Sequence, residues 1–387
     1  MITKNIHKLV LSTLIVSVSA LSSGAFAKAT PPEMNNKAYV LMDYNTGEIL
    51  AQKNADKQLP PASLTKMMTS YIMEERLSNG KMSEDEQIFV SKKNSCAIGS
   101  GQSCMYVLPN KSASAIDILR GIVIQSGNDA SAAAAEHMAG SESAFADLMN
   151  ETAAELGMEN THFVNATGMP AKDHYSSAMD LAKLARAIIQ HGGKYYDIYS
   201  EKEFSYNGFT QQNRNALLNT DPTVDGLKTG HTRAAGYCLV ASSDRKNMRL
   251  ISVIMGAKTS GARARQSREL LNWGYGHFET IVKAPKGQFA TKAPVLYGTV
   301  DEVELATADN LQVMIESKGG KVVDSVIKLD KTIKAPITKG QKLGEMSAVI
   351  DGKTVATVDL ISTHEVAEAG FFKRMWQGIA SWFKGLF

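Results

Sequence analysis

Cysteine is nearly absent from this chain of 387 residues: there are three, enough for one disulfide at most. An excess of one charge is absent too. Its 42 Lys and Arg are set against 39 Asp and Glu, a net charge of +3. No long basic run is interleaved with aromatics, which argues against a nucleic-acid binder. A zinc-protease helix is missing, because His364-Glu365 has no second histidine four residues after the first. No metal and no cofactor are therefore expected. The apolar stretch Leu9–Leu21 is short for a bilayer span of about 20 residues.

What is present is ordinary globular composition, 44% hydrophobic and 21% charged. The length suggests two domains with a tail. Lys4 and Lys8 precede the Leu9–Leu21 stretch, and Ala25-Phe26-Ala27 follows it. Small residues at those two alanine positions read as a signal peptide, residues 1–27, cleaved after Ala27. Export puts the cysteines in an oxidising compartment. Cys96 and Cys104 flank the Gly/Ser-rich loop 97–103, where a local disulfide is the hypothesis and three free thiols the alternative; spacing does not settle connectivity. Cys238, in an apolar run, reads as a buried thiol.

Tyr39–Asp43 and Glu48–Gln52 alternate like strands around the turn Asn45-Thr46-Gly47. After Pro60-Pro61 the period becomes helical from Ser63 to about Leu77. Further helices are expected around Ile116–Val123, Asp129–Ala139 and Phe145–Leu156. Another follows Ser177, with Asp180 three residues on as a capping box, and a last one spans about Ala262–Trp273. Tyr237–Ser242 and Leu250–Ile254 read as strands. The expectation is an α+β domain, residues 28–283, with a helical cluster on one antiparallel sheet. Beyond Lys283, short strands (Glu302–Leu305, Gln312–Ile315, Thr354–Asp359) alternate with turns at Asp309-Asn310, Gly319-Gly320 and Asp351-Gly352. They suggest a small all-β domain, residues 284–367. In residues 368–387 the aromatic and aliphatic residues Phe371, Phe372, Met375, Trp376, Ile379, Phe383, Leu386 and Phe387 share one helical face. Lys373, Arg374 and Lys384 carry positive charge there, with no acid from 371 onward. An amphipathic helix lying on a membrane surface fits this pattern, against the alternative of a helix docked on the β domain.

Chemistry is concentrated in three fragments. Ser-x-x-Lys occurs at Ser63–Lys66, and also at Ser78–Lys81, Ser243–Lys246, Ser325–Lys328 and Ser381–Lys384. Only Ser63-Leu64-Thr65-Lys66 opens a helix of the expected core. There, three residues of spacing bring hydroxyl and amine to one face, and the helix N-terminus presents free N–H groups. A serine hydroxyl needs a base beside it, and a lysine of depressed pKa can serve. Ser126-Gly127-Asn128 follows the Ile116–Val123 helix, and Lys228-Thr229-Gly230 precedes an expected strand. Each fragment alone has a bland reading: an N-cap, a turn, a solvated lysine. In this order they form a specific trio.

With their flanks, Pro61–Met67, Gln125–Ala130 and Asp225–Thr232 resemble the type-5 low-molecular-mass penicillin-binding proteins, and the resemblance runs over nearly the whole chain. It implies a penicillin-binding/β-lactamase-like transpeptidase fold and a serine D-alanyl-D-alanine carboxypeptidase activity. Ser63 would attack the carbonyl between the terminal D-alanines of a peptidoglycan stem peptide, and Lys66 would take its proton. The N–H groups of Ser63 and His231 would form the oxyanion hole. Ser126 would pass a proton to the leaving D-alanine, and Asn128 would orient the peptide. Lys228, Thr229, Gly230 and Arg263 would serve the substrate and its terminal carboxylate. β-Lactams would acylate Ser63. The implied location is the periplasm, on the outer face of the inner membrane. A class A β-lactamase needs Glu-x-x-Leu-Asn between the second and third fragments; none is there, and Glu269-Leu270-Leu271-Asn272 is one residue short and follows Lys228. A D,D-endopeptidase on the same fold, or a wall-binding scaffold, are the other readings.

Overall fold

The computed structural model describes residues 30–97, 99–317 and 322–384, with side chains placed as far as Gln377. The expected signal peptide, the Gly319-Gly320 turn and the terminal Leu386 and Phe387 lie outside the described residues, as do the side chains of Ile379, Phe383 and Lys384.

A five-stranded antiparallel sheet organises the first part of the chain. Its spatial order is Ile49–Lys53, Ala38–Asp43, Met248–Ala257, Gly236–Arg245, Val224–Thr232. The first two strands come from the N-terminal hairpin, which ends at Lys53, and the other three from the stretch that begins at Val224, so the sheet closes over the helices between them. Strand periodicity of two then assigns faces. Val40 pairs with Val253, Val253 with Val240, and Val240 with Lys228. The valines of that row belong to the core shared with the helices Lys66–Ser78, Ala115–Val123, Asn128–Ala139, Glu142–Glu155 and Ala178–His191. The alternate row, Tyr39, Ile254, Leu239, packs with Leu270 and Leu271. Those leucines sit on the helix Ser260–His277 on the opposite face, where Leu217 and Leu218 of the short 3-10 helix Ala216–Asn219 join the same core. The sheet is therefore covered on both sides, a feature that the expectation of one helical cluster on one sheet did not include.

Local chemistry explains the helix boundaries. Ser114, Ser141, Ser177 and Thr259 each accept a backbone N–H at the start of a helix. The Ser177 cap forms as expected, but the box is half made: the Asp180 carboxylate turns away to the N–H of Asn160 and the hydroxyl of Thr161. Lys228-Thr229-Gly230 precedes the expected strand, which forms as Gly236–Arg245, but it also lies inside a strand of its own, Val224–Thr232, that was not expected. Its two glycines and its lysine hid the strand from a pattern search, because strand propensity resides in β-branched and aromatic residues.

The strand Phe278–Ala284 leaves the helix Ser260–His277 directly and pairs with Leu311–Glu316. A second five-stranded sheet follows, in the order Phe289–Pro294, Glu302–Thr307, Lys353–Ser362, Lys342–Ile350, Asp324–Leu329. The helix Phe371–Lys384 ends the described chain.

Candidate active site

Pro60 and Pro61 end the extended chain, and Ala62–Thr65 forms one 3-10 turn before the α-helix Lys66–Ser78. Ser63 sits in that turn and does not cap the helix with its side chain. Ala62 is held at a positive φ of 50°. Its carbonyl is turned onto Gly168, where a Cβ would lie only 1.9 Å from Ala62 O. Across the turn, a Cβ on Gly230 would lie 2.9 Å from Pro61 O and 3.2 Å from Leu64 N. The nucleophile turn is thus clasped between two glycines, from the 165–169 loop and from the motif strand. Thr65 is pinned as well. His174 Nδ1 accepts the Val164 N–H at 3.0 Å, so the neutral ring carries its proton on Nε2, which donates to Thr65 Oγ1 at 2.8 Å. Burial depresses the His174 pKa to about 4, which keeps the ring neutral.

Lys66 is fully buried. Its Nζ lies 2.7 Å from Asn128 Oδ1, 2.6 Å from Thr167 O and 3.2 Å from Ser63 Oγ. The first two partners only accept hydrogen bonds. A neutral lysine spends its two N–H bonds on them, and its lone pair is left facing the Ser63 hydroxyl. Burial, reinforced by the Arg214 charge and opposed by Asp129 and Glu142, pulls the Lys66 pKa down to about 7. The base is therefore available near neutrality.

Lys228 enters from the sheet. Its row faces the helical side, as does the row of Gly230, which pairs with Cys238 of the same core. Burial first, then Lys66, Arg214 and Arg263, push its pKa well below the usual lysine range. Thr229 pairs with Leu239 in the alternate row, toward the side covered by the helix that carries Arg263. Arg263 Nη1 donates to the carbonyls of Gly230 and Cys238 at 3.1 and 3.3 Å. His231 is exposed and stacks on Tyr237, with ring centroids 4.0 Å apart. Ser126 is buried at a positive φ of 59°, in the tight link between the helices Ala115–Val123 and Asn128–Ala139. Gly127 closes that link by donating to Gly121 O at 2.9 Å.

The structure thus brings Ser63, Lys66, Asn128, Gly230, Lys228 and Arg263 together; Thr229 belongs to the row on the other side of the sheet, the ring of His231 is exposed, and Ser126 is buried in the link before Asn128. Four basic side chains, Lys66, Lys228, Arg214 and Arg263, act on one another there. Such a cluster is a receptor for an anion. Arg214, Asp129 and the Thr167 carbonyl were not expected. Arg214 lies in a loop held by its neighbours: Asn213 Oδ1 accepts the Asn215 N–H, and Asn215 Nδ2 donates to Gly226 O of the motif strand. The paired asparagines were the available signal. A backbone carbonyl such as that of Thr167 leaves no trace in residue type.

Cys96 and Cys104 form a disulfide, and Cys238 is a buried free thiol. The bridged loop runs beside the second motif. Ser103 O accepts the Asn128 N–H at 2.8 Å, and Gln102 Oε1 accepts from Asn128 Nδ2 at 3.3 Å. The buried Asp129 carboxylate takes the N–H groups of Met105, Tyr106 and Val107. Between this loop and residues 165–169 lies a cavity of about 320 Å³, bordered by Asn128, Gln102, Glu142 and Thr167. The larger hollow, about 410 Å³, lies between the Asn45-Thr46 turn and strands of the β part, and carries none of these groups.

Residues 25–259 match the family model described as D-alanyl-D-alanine carboxypeptidase, and residues 278–368 match the C-terminal domain of penicillin-binding protein 5. The D-alanyl-D-alanine carboxypeptidase DacA of Haemophilus influenzae is 39% identical over 391 aligned positions, covering 99% of each chain. The crystal structure of penicillin-binding protein 5 from the same organism superposes with a TM-score of 0.75 at 39% identity, covering 88% of this chain and all of that one. Penicillin-binding protein D2 of Listeria monocytogenes, solved in a cefotaxime-bound form, superposes at 0.59 with 28% identity, over 64% of this chain and all of that one.

Proposed function

This chain belongs to the D-alanyl-D-alanine carboxypeptidase family, and from that premise we propose that it removes the terminal D-alanine of peptidoglycan stem pentapeptides through an acyl-enzyme on Ser63. The observation that carries the reading is the arrangement at Lys66 Nζ: two acceptor-only partners and one hydroxyl. Neutral Lys66 takes the Ser63 proton as Oγ bonds to the carbonyl carbon between the two D-alanines. The N–H groups of Ser63 and His231 receive the oxyanion. Collapse of the adduct breaks the C–N bond, and the leaving amine gains its proton by way of Ser126. Water then attacks the ester and releases the shortened peptide and Ser63. The terminal carboxylate of the substrate meets the cluster of Lys228, Arg263 and Arg214, an anion among cations that burial leaves poorly solvated. A β-lactam presents the same carboxylate beside a strained amide and acylates Ser63, but leaves slowly.

The test is release of free D-alanine from a pentapeptide ending in D-Ala-D-Ala, by residues 28–370 and by the Ser63→Ala variant. Release by the first alone establishes the activity and the nucleophile. No release by either folded protein transfers the reading to an endopeptidase or a scaffold.

We also propose that residues 1–27 direct export to the periplasm and that residues 371–387 hold the protein to the membrane surface. No helix of the described residues is long and apolar enough to cross a membrane. The polar side of the last helix is already engaged: Lys373 pairs with Asp301 at 3.0 Å, Arg374 with Glu368 at 2.8 Å, and Gln377 Oε1 accepts the Tyr297 N–H. Phe371, Phe372, Met375 and Trp376 face outward, Phe372 80% and Trp376 73% exposed. An apolar face held outward by its polar side suits the headgroup–acyl boundary. Deleting residues 371–387 should release the protein from anionic vesicles into the supernatant; continued sedimentation with them would rule the anchor out.

A further inference from the structure

Asn128 is an asymmetric bridge, and its two ends matter differently. One end meets Lys66 and the other meets Gln102. With Oδ1 toward Lys66, both N–H bonds of the neutral lysine are taken by acceptors, and the lone pair faces Ser63. With the amide turned over, its NH2 would face Lys66 and occupy that lone pair. Ser63 would then lose its base without any change in backbone. The partner on the far side decides which orientation prevails. Gln102 Oε1 accepts from Asn128 Nδ2 at 3.3 Å, a bond that the turned-over orientation keeps only if the Gln102 amide turns as well.

Gln102 stands on the bridged loop. Gly99 and Gly101 on either side of Ser100 have positive φ values of 83° and 73°, so the segment has little stiffness of its own. What holds it is at its edges. The Cys96–Cys104 disulfide closes a ring of nine residues around it. Ser103 O is bonded to the Asn128 N–H, and Cys104 O accepts Gln211 Nε2 at 2.9 Å. The next three N–H groups are bound by Asp129. The bridge therefore anchors Gln102 to the motif whose amide it faces.

We propose that Gln102, held by the Cys96–Cys104 bridge, is a positioning residue that sets the orientation of the Asn128 amide and so keeps the Lys66 lone pair on Ser63. The proposal rests on the carboxypeptidase reading of the site. Gln102 itself touches neither Ser63 nor Lys66; it acts through Asn128. Because it is exposed, water competes for its bond, and its removal slows the enzyme without abolishing the activity.

The measurement is the second-order rate constant for acylation by a fluorescent penicillin, near pH 8.5 so that an added charge does not protonate Lys66. Wild type and Ser63→Ala come first. Labelling of the first and not the second shows that the underlying reading stands, whatever follows. Gln102→Met, which keeps the shape and removes the acceptor, should slow acylation about threefold to tenfold at unchanged melting temperature, the scale of one neutral hydrogen bond. Gln102→Glu, which offers only acceptors, should stay within about twofold of wild type. The double variant Cys96→Ser/Cys104→Ser should be slowed like Gln102→Met, and adding Gln102→Met to it should bring no further loss. A wild-type rate in Gln102→Met would overturn the proposal. So would equal slowing by Glu and Met, or losses that multiply when loop and side chain are changed together.

Discussion

Lys66 titrates where the enzyme must work. Its pKa is held at about 7 by burial and by the Arg214 charge. Below that pH it is protonated and its third N–H points at Ser63, so acylation should fall about tenfold per pH unit once well below 7, and level off above it. A profile that stays flat from pH 5 to 9 would remove Lys66 as the base. Lys66→Arg keeps a cation that does not deprotonate. It should cost about 10²- to 10⁴-fold in the acylation rate, the usual contribution of a positioned base. A second titrating group lies two turns farther along the same helix. Glu74 is buried, with Oε1 accepting from Tyr199 OH at 2.6 Å and Oε2 without a partner. Burial raises its pKa from 4.5 to about 8, against the Tyr199 bond, which lowers it. The folded state thus keeps a proton that the unfolded state releases. Stability from this group is complete below pH 4.5 and is lost as pH rises through 8. Glu74→Gln, neutral at every pH, should flatten the fall in melting temperature between pH 5 and 8. An unchanged slope would show that Glu74 is ionised in the folded protein.

Among elements, the nucleophile turn is the most constrained. It is gripped by Gly168 on one side and Gly230 on the other, and its Thr65 is bonded to His174. Gly168 has a positive φ of 79°, and a Cβ there would overlap Ala62 O at 1.9 Å and crowd Thr65 Oγ1 at 2.9 Å. The obstacle is backbone and does not yield by a rotamer change. Gly168→Ala should therefore lower the melting temperature by several degrees, as expected for a loss of more than about 1 kcal/mol. It should also slow acylation, because relief of the clash moves the residue before Ser63. Thermal melts and penicillin labelling of the same preparation read both, and a variant matching wild type in each would mean that the loop gives way freely.

At the scale of the molecule, chemistry and β domain are separate in sequence: the residues of the site run from Ser63 to Arg263. The β part still contributes to stability. Met314 joins the core behind the sheet, and the strand Leu311–Glu316 covers Phe278–Ala284. A chain ending at Lys283 should accordingly melt at a lower temperature than the full chain, yet acylate within about twofold of its rate, since additive behaviour is expected for distant groups. Loss of labelling in a folded truncated chain would assign the β part a direct role in the site.

Much of this was legible from residue order. Hydrophobic period placed the helices and four of the strands of the main sheet, and the α+β class followed. Three short fragments in order picked out Ser63, Lys66, Ser126, Asn128 and Lys228, because nucleophile, base and amide are residue types that carry their chemistry wherever they stand. The strand around Lys228 was missed, since its residues are chosen for the site and not for strand propensity. Tertiary structure alone decided the rest. It put Lys228 in register with Val240 and so turned it to the helical side of the sheet, where it acts on Lys66. It stripped water from Lys66, on which the Lys66 pKa depends. It also brought Thr167 O, Arg214 and the bridged loop to the motif residues. Residue type is local and survives in a linear text; burial, the direction of a carbonyl and the charge of a distant neighbour depend on chain segments that meet only when the protein folds.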